Sequence, residues 1–164
     1  MTTTHMLKTA EADIAYDVHG PLPTADGRPP LFMIGQPMTA SGFGTLASHF
    51  PDRTVVTYDP RGLGRSTRKD GRVDNAPTVQ ANDVHAVIEA LDAGPVEMFA
   101  SSGGAVTALA FVAAYPDDVG TLVAHEPPLP RCSPTPRRPS APAPRFATRT
   151  RPRGRVSAWR PSSP

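Results

Sequence analysis

The stretch Val96-Glu97-Met98-Phe99-Ala100-Ser101-Ser102-Gly103-Gly104, followed by Ala105 to Tyr115, decides how this chain folds. Val96 to Phe99 reads as a short strand, and Gly103 to Tyr115 is apolar almost all round, with Pro116 where a helix must stop. Ser102 therefore falls on the turn between a strand and a heavily buried helix. A serine hydroxyl is a weak nucleophile until a turn lifts it clear of the sheet, aims it at a base and sets backbone N–H groups beside it. Such a turn requires small neighbours, and Ala100, Gly103 and Gly104 supply them at the −2, +1 and +2 positions. On these residues alone, two further readings remain open: Ser101 or Ser102 capping a helix, or the loop holding an anion at a helix N-terminus. The strand before and the apolar helix after favour the nucleophile.

Working outward, Ala12, Ile14, Tyr16 and Val18 alternate as in a half-buried strand, hairpinned to Leu7–Ala10. Residues 20–30 form a Pro/Gly loop. Leu31-Phe32-Met33-Ile34 is a continuous apolar run ending at Gly35, the pattern of a strand buried on both faces. Phe43, Leu46, Ala47 and Phe50 recur at helical spacing before Pro51, and Thr54–Tyr58 is a β-branched strand. Val84, Val87, Ile88 and Leu91 repeat at i, i+3, i+4 and i+7 in a helix ending near Gly94-Pro95, and Thr121–Ala124 is one more strand. Strands alternating with helices predict an α/β fold: a mostly parallel sheet with flanking helices, introduced by an antiparallel hairpin.

After Pro130 the pattern stops. Residues 1–130 hold 8 Lys and Arg and all 15 acids, whereas residues 131–164 hold 9 Arg and no Lys, Asp, Glu or His, a split of −7 against +9. Two segments are expected: 1–130, a partial globular domain, and 131–164, a disordered Arg/Pro/Ser-rich tail with too little apolar surface to offset ordering entropy. An Arg/Pro/Ala/Ser-rich stretch without acids or Lys is also what out-of-frame translation of GC-rich DNA produces. A frameshift is the expected origin, checked by reading the other two frames for a strand followed by Asp and a later His. The single Cys132 excludes an internal disulfide framework. No run approaches the roughly 20 apolar residues of a membrane span, and residues 1–5 lack a secretory pattern, so a cytoplasmic protein without membrane contact is expected.

Two other segments could carry chemistry. Gly35-Gln36-Pro37 follows the first core strand, where acyl-transfer chemistry in this kind of architecture takes an oxyanion N–H donor; the simpler reading is a plain turn. Asp59-Pro60-Arg61-Gly62-Leu63-Gly64-Arg65-Ser66 lacks the third glycine and the helix of a dinucleotide site. It is read as structural, with Asp59 and Arg61 able to pair inside it.

The order of Ile34-Gly35-Gln36-Pro37, the D-x-R-G-x-G-x-S segment, Ser101-Ser102-Gly103-Gly104 and His125-Glu126-Pro127-Pro128 resembles the α/β-hydrolase superfamily, closest to its small bacterial esterase or haloperoxidase-like branch. The likeness covers residues 5–130. It implies Ser102 as nucleophile, with Gln36 and Gly103 as oxyanion backbone N–H donors, a small-molecule ester or acyl substrate, and neither cofactor nor metal. Ile34 replaces a His common in relatives, and Ala100 replaces the first Gly of G-x-S-x-G. The resemblance also puts the triad acid and His after the seventh and eighth strands, beyond the six strands counted here. Glu126 stands where some lipases of the superfamily place their acid; His19, His49 and His85 read as surface residues.

A serine lacking its base loses on the order of 10⁴ to 10⁶ in rate, so little hydrolysis is expected from this chain alone. Stopping after the sixth strand would also leave a parallel edge uncovered, and aggregation or a molten state is the expected result. The alternative function is a non-catalytic one: the basic tail holding nucleic acid or anionic surfaces by charge, without specific nucleic-acid recognition. Substrate identity and oligomeric state are not legible.

Overall fold

The computed structural model describes residues 1–128. The disorder and the anion-binding role expected of residues 131–164 lie outside the described residues. Within 1–128 a seven-stranded sheet is assembled from β1 (Thr2–Lys8), β2 (Ala12–His19), β3 (Leu31–Gln36), β4 (Val55–Tyr58), the two-residue β5 (Thr67–Arg68), β6 (Val96–Ser102) and β7 (Val119–His125). The strand order is β1-β2-β4-β3-β6-β7, with β5 paired to β2. β1, β2 and β4 pair antiparallel, and β4, β3, β6 and β7 run parallel. The fold is thus the α/β arrangement expected, hairpin first and parallel strands after. The hairpin's first strand begins earlier than the sequence suggests, because Thr2 to Lys8 pair continuously with Asp13 to His19.

Among the described residues three α-helices cover the sheet: α1 (Gly44–Ala47), α2 (Pro77–Leu91) and α3 (Gly103–Ala114). The helix expected over Phe43–Phe50 is divided, a 3₁₀ turn at Ala40–Phe43 leading into the single turn of α1. Pro77 opens α2, where its missing N–H has no carbonyl to lose, and Asp92 closes it in a left-handed conformation (φ 48°). None of the described helices is long and apolar enough to cross a membrane.

β3 explains why its apolar run is continuous. Phe32 and Ile34 pack into the larger core with Ile14, Val84, Met98 and Phe111, whereas Leu31 and Met33 face the other side with Phe43 and Val55. A strand buried on both faces has no polar alternation to display. Helix α3 departs from the full burial expected of an all-apolar helix. Gly104, Ala105, Thr107, Ala108 and Phe111 are buried, but Leu109 is 40% exposed and Ala113 and Ala114 face outward. Among the described residues nothing packs on that outer side. β7 likewise ends the sheet with one edge unpaired among the described residues.

Candidate functional site

The carboxyl ends of β3 and β6 lie side by side because the two strands are parallel and in register from Leu31↔Glu97 to Gln36↔Ser102. In open α/β sheets this is the end at which ligands gather. Ser102 closes β6 and stands immediately before α3, with φ 53° and ψ −126°. That is a conformation glycine adopts freely and serine does not, and holding it costs about 1–3 kcal/mol. The side chain is exposed and makes no capping hydrogen bond to the helix it precedes, so the capping role left open by the sequence is not taken up by Ser102. Replacing Ser102 with glycine is therefore expected to raise stability by about 1 kcal/mol, read as a higher urea midpoint in pulse proteolysis. An unchanged or lower midpoint would mean that the turn stores no strain.

Close packing holds the turn in place. A Cβ on Gly104 would lie 2.6 Å from Gly35 Cα, 2.8 Å from Gly35 N and 2.8 Å from Ile34 O. Only glycine lets the first turn of α3 press this near to the central strand. At Gly103 a Cβ would meet Gln36 O at 3.0 Å and Gln36 Cβ at 3.1 Å. Ser102, Gly103 and Gln36 are thus brought together from positions far apart in the chain.

The loop after Gln36 is fixed by the D-x-R-G-x-G-x-S segment. Asp59 is buried, accepting hydrogen bonds from Ala40 N (2.8 Å), Arg65 N (2.9 Å) and Arg65 Nε (2.8 Å). Burial pushes the Asp59 carboxyl upward, but the Arg65 guanidinium and the two backbone donors outweigh it and hold the pKa below the usual carboxylate range. Ser66 Oγ donates to Asp59 O (2.6 Å) and accepts from Ala15 N (2.9 Å), pinning the same corner to β2. The pairing of Asp59 with Arg61 suggested by sequence does not occur. Arg61 turns the other way, its Nε and Nη2 each 2.6 Å from the Asp83 carboxylate on α2, with Asp70 at 3.0 Å and Glu11 at 3.4 Å. The reason is a choice between acids: Asp59 is already saturated by Arg65 and backbone donors, whereas buried Asp83 has its carboxylate paired with Arg61.

Glu126 follows β7, exposed and in the left-handed region (φ 48°); among the described residues no hydrogen bond joins it to Ser102, Gly103 or Gln36. All five histidines lie in the described part, and none is hydrogen-bonded to Ser102. His19 bonds Thr2 and Thr57, and His85 is clamped by Asp118 (2.5 Å) while stacking on Tyr115 at 3.9 Å. His49 is exposed. His125 is different, since β7 delivers it beside Ser101, with Ser101 Oγ 3.4 Å from His125 Nδ1. No periodicity or motif in the sequence couples these two. The usable signal is that both lie at the carboxyl ends of consecutive parallel strands joined by α3, and so reach the same edge of the sheet.

Among the described residues, no cluster of three or more metal-ligating acids, histidines or cysteines is present. A cavity of about 680 Å³, lined by His19, Gly20, Phe50, Arg53 and Thr54 among others, lies at the amino ends of the parallel strands. It is at the far end of the sheet from Ser102.

A family model described as alpha/beta hydrolase fold matches residues 35–151. The uncharacterized hydrolase YraK of Bacillus subtilis (strain 168) is 32% identical over 122 residues, which are 74% of this chain and 43% of that protein. Among solved structures, a hydrolase from Pseudomonas aeruginosa PA01 superposes with a TM-score of 0.66 at 20% identity, over 76% of this chain and 46% of that one. MGS-M2, an alpha/beta hydrolase enzyme from a Medee basin deep-sea metagenome library, gives 0.64 at 21% identity, over 72% and 42%. The chain spans less than half the length of these relatives.

Proposed function

This chain belongs to the alpha/beta hydrolase fold family, and from that premise we propose that it carries the nucleophile half of a serine hydrolase acting on small esters or related acyl compounds. In this reading Ser102 Oγ attacks the acyl carbon, and the backbone N–H groups of Gln36 and Gly103 receive the negative charge that develops on the carbonyl oxygen. Neither a cofactor nor a metal takes part, and a cytoplasmic location goes with the same reading. Glu126 is the candidate acid.

The observation that carries the proposal is the strained, exposed Ser102 at the strand–helix junction, in register with Gln36. Strain of this kind gathers where a reacting group must be presented. Against it stands the lack, among the described residues, of any histidine bonded to Ser102, so the chain alone is expected to be slow. Oxyanion donors and binding sustain only a residue of catalysis once the base is gone, on the order of 10⁴ to 10⁶ below a complete triad.

The test is acylation of the purified chain by p-nitrophenyl acetate, with the acyl group located by tandem mass spectrometry. Acyl on residue 102 that disappears in S102A, at such a reduced rate, is the expected result. No acyl on residue 102 would remove the nucleophile assignment. Turnover at ordinary enzyme rates that is lost in S102A would remove the impairment.

A further inference from the structure

The carboxyl ends of β6 and β7 present a second arrangement that the elbow does not use. The register sets Phe99 opposite Val123 and Ser101 opposite His125. Residues two apart on a strand share a face, so these four side chains form two rows on one side of the sheet. The outer row is a hydroxyl and an imidazole, with Ser101 Oγ 3.4 Å from His125 Nδ1. The inner row is apolar: the Phe99 ring, and Val123 at 53% exposure. The rings of Phe99 and His125 lie 6.2 Å apart and 30° from parallel, so the imidazole stands over the aromatic row. Ser101 is half-buried and His125 exposed, so among the described residues the pair is open to a small molecule.

We propose that Ser101 and His125 form an acyl-accepting dyad separate from Ser102, taking esters with a hydrophobic acyl chain. A hydroxyl and a base within reach of each other are the minimum for nucleophilic acyl transfer, and such contacts are often this loose before substrate binds. With the hydrogen of the neutral imidazole on Nε2, the Nδ1 lone pair faces Ser101. Ser101 Oγ forms a bond to the acyl carbon while its proton passes to His125 Nδ1. As the ester C–O bond breaks, that proton goes to the departing alcohol oxygen. Water then cleaves the new ester, with His125 taking the water proton and returning it to Ser101 Oγ, to give the carboxylic acid and the free hydroxyl. The acyl chain lies along Phe99 and Val123.

This dyad does not depend on the role given to Ser102. The full chain, with S101A, S102A, H125Q and H125N variants checked by circular dichroism, is treated with p-nitrophenyl acetate and p-nitrophenyl hexanoate. Release of p-nitrophenol is followed, and the acyl group is assigned to residue 101 or 102 by backbone fragmentation. The expected result is acyl on Ser101 that survives in S102A, falls on the order of 10²-fold in both His125 variants, and forms about tenfold faster from hexanoate. Two amides replace the imidazole so that loss of fold in one variant does not silence the test. Ser101 acylation unchanged by H125Q or H125N overturns the proposal, as does acyl found on His125 with undiminished p-nitrophenol release in S101A. Acyl on Ser102 alone overturns it and leaves the elbow reading standing; acyl on Ser101 alone does the reverse. No acyl on either serine overturns both.

Discussion

Asp83→Ala is expected to destabilise the fold by about 3–5 kcal/mol, measured as a lowered urea midpoint in pulse proteolysis. The Arg61 and Asp83 side chains are each 3% exposed and meet through two hydrogen bonds of 2.6 Å. Deleting the carboxylate strands a guanidinium that cannot shed its proton, because arginine stays charged even without a partner; in the intact pair the Asp83 carboxylate, outweighing burial, with lesser help from Glu11 and Asp70, raises the Arg61 pKa further. Of the remaining partners, Glu11 at 3.4 Å is mostly exposed and screened by water, and buried Asp70 at 3.0 Å is already shared with Arg68, whose Nε and Nη2 lie 3.0 and 2.8 Å away. Removing both partners together, as Arg61→Met with Asp83→Leu, is expected to cost far less than Asp83→Ala, because no buried charge is then left alone. A loss below about 1 kcal/mol in the single variant would mean that Asp70 and Glu11 already satisfy Arg61.

Gly104→Ala is expected to cost about 3 kcal/mol or more and to abolish acylation of Ser102. The three atoms a Cβ would strike, Gly35 Cα, Gly35 N and Ile34 O, all belong to the backbone of β3. No rotamer change relieves such contacts, so α3 must lift away from the sheet, and the turn at Ser102 goes with it. Gly44→Ala is the control: nothing lies within 4 Å of the added atom, and the position is helical. It should be neutral or slightly stabilising, by a few tenths of a kcal/mol. Equal midpoints for the two variants would show that the α3–β3 contact is slack.

The contrast between these sites tells what the sequence could reveal. Local chemistry was legible: the two-faced burial of Leu31–Ile34, the β-branched run of β4, the spacing of Val84, Val87, Ile88 and Leu91, and the strand–turn–helix around Ser102 are each written within a few residues. Partnerships across distance were not. Whether Asp59 meets Arg61 or Arg65 depends on where α2 comes to rest, because Asp83 competes for Arg61 from 22 residues away. The opposition of Ser101 to His125 depends on register between β6 and β7, which contains an irregularity at Val96 and Glu97 that no periodicity announces. The exposed side of α3 was hidden for the opposite reason: composition reports what a helix could bury, not what is present to cover it.

The position of β3 in the sheet also sets a timetable for synthesis. Its neighbours are β4, which follows it closely, and β6, whose last residue is made about 65 residues after β3 ends. At ~5–20 residues per second the emerging chain carries Leu31 to Ile34 with one flank unmatched for roughly 3–13 s. During that interval this apolar strand is a target for any chaperone waiting at the ribosome exit.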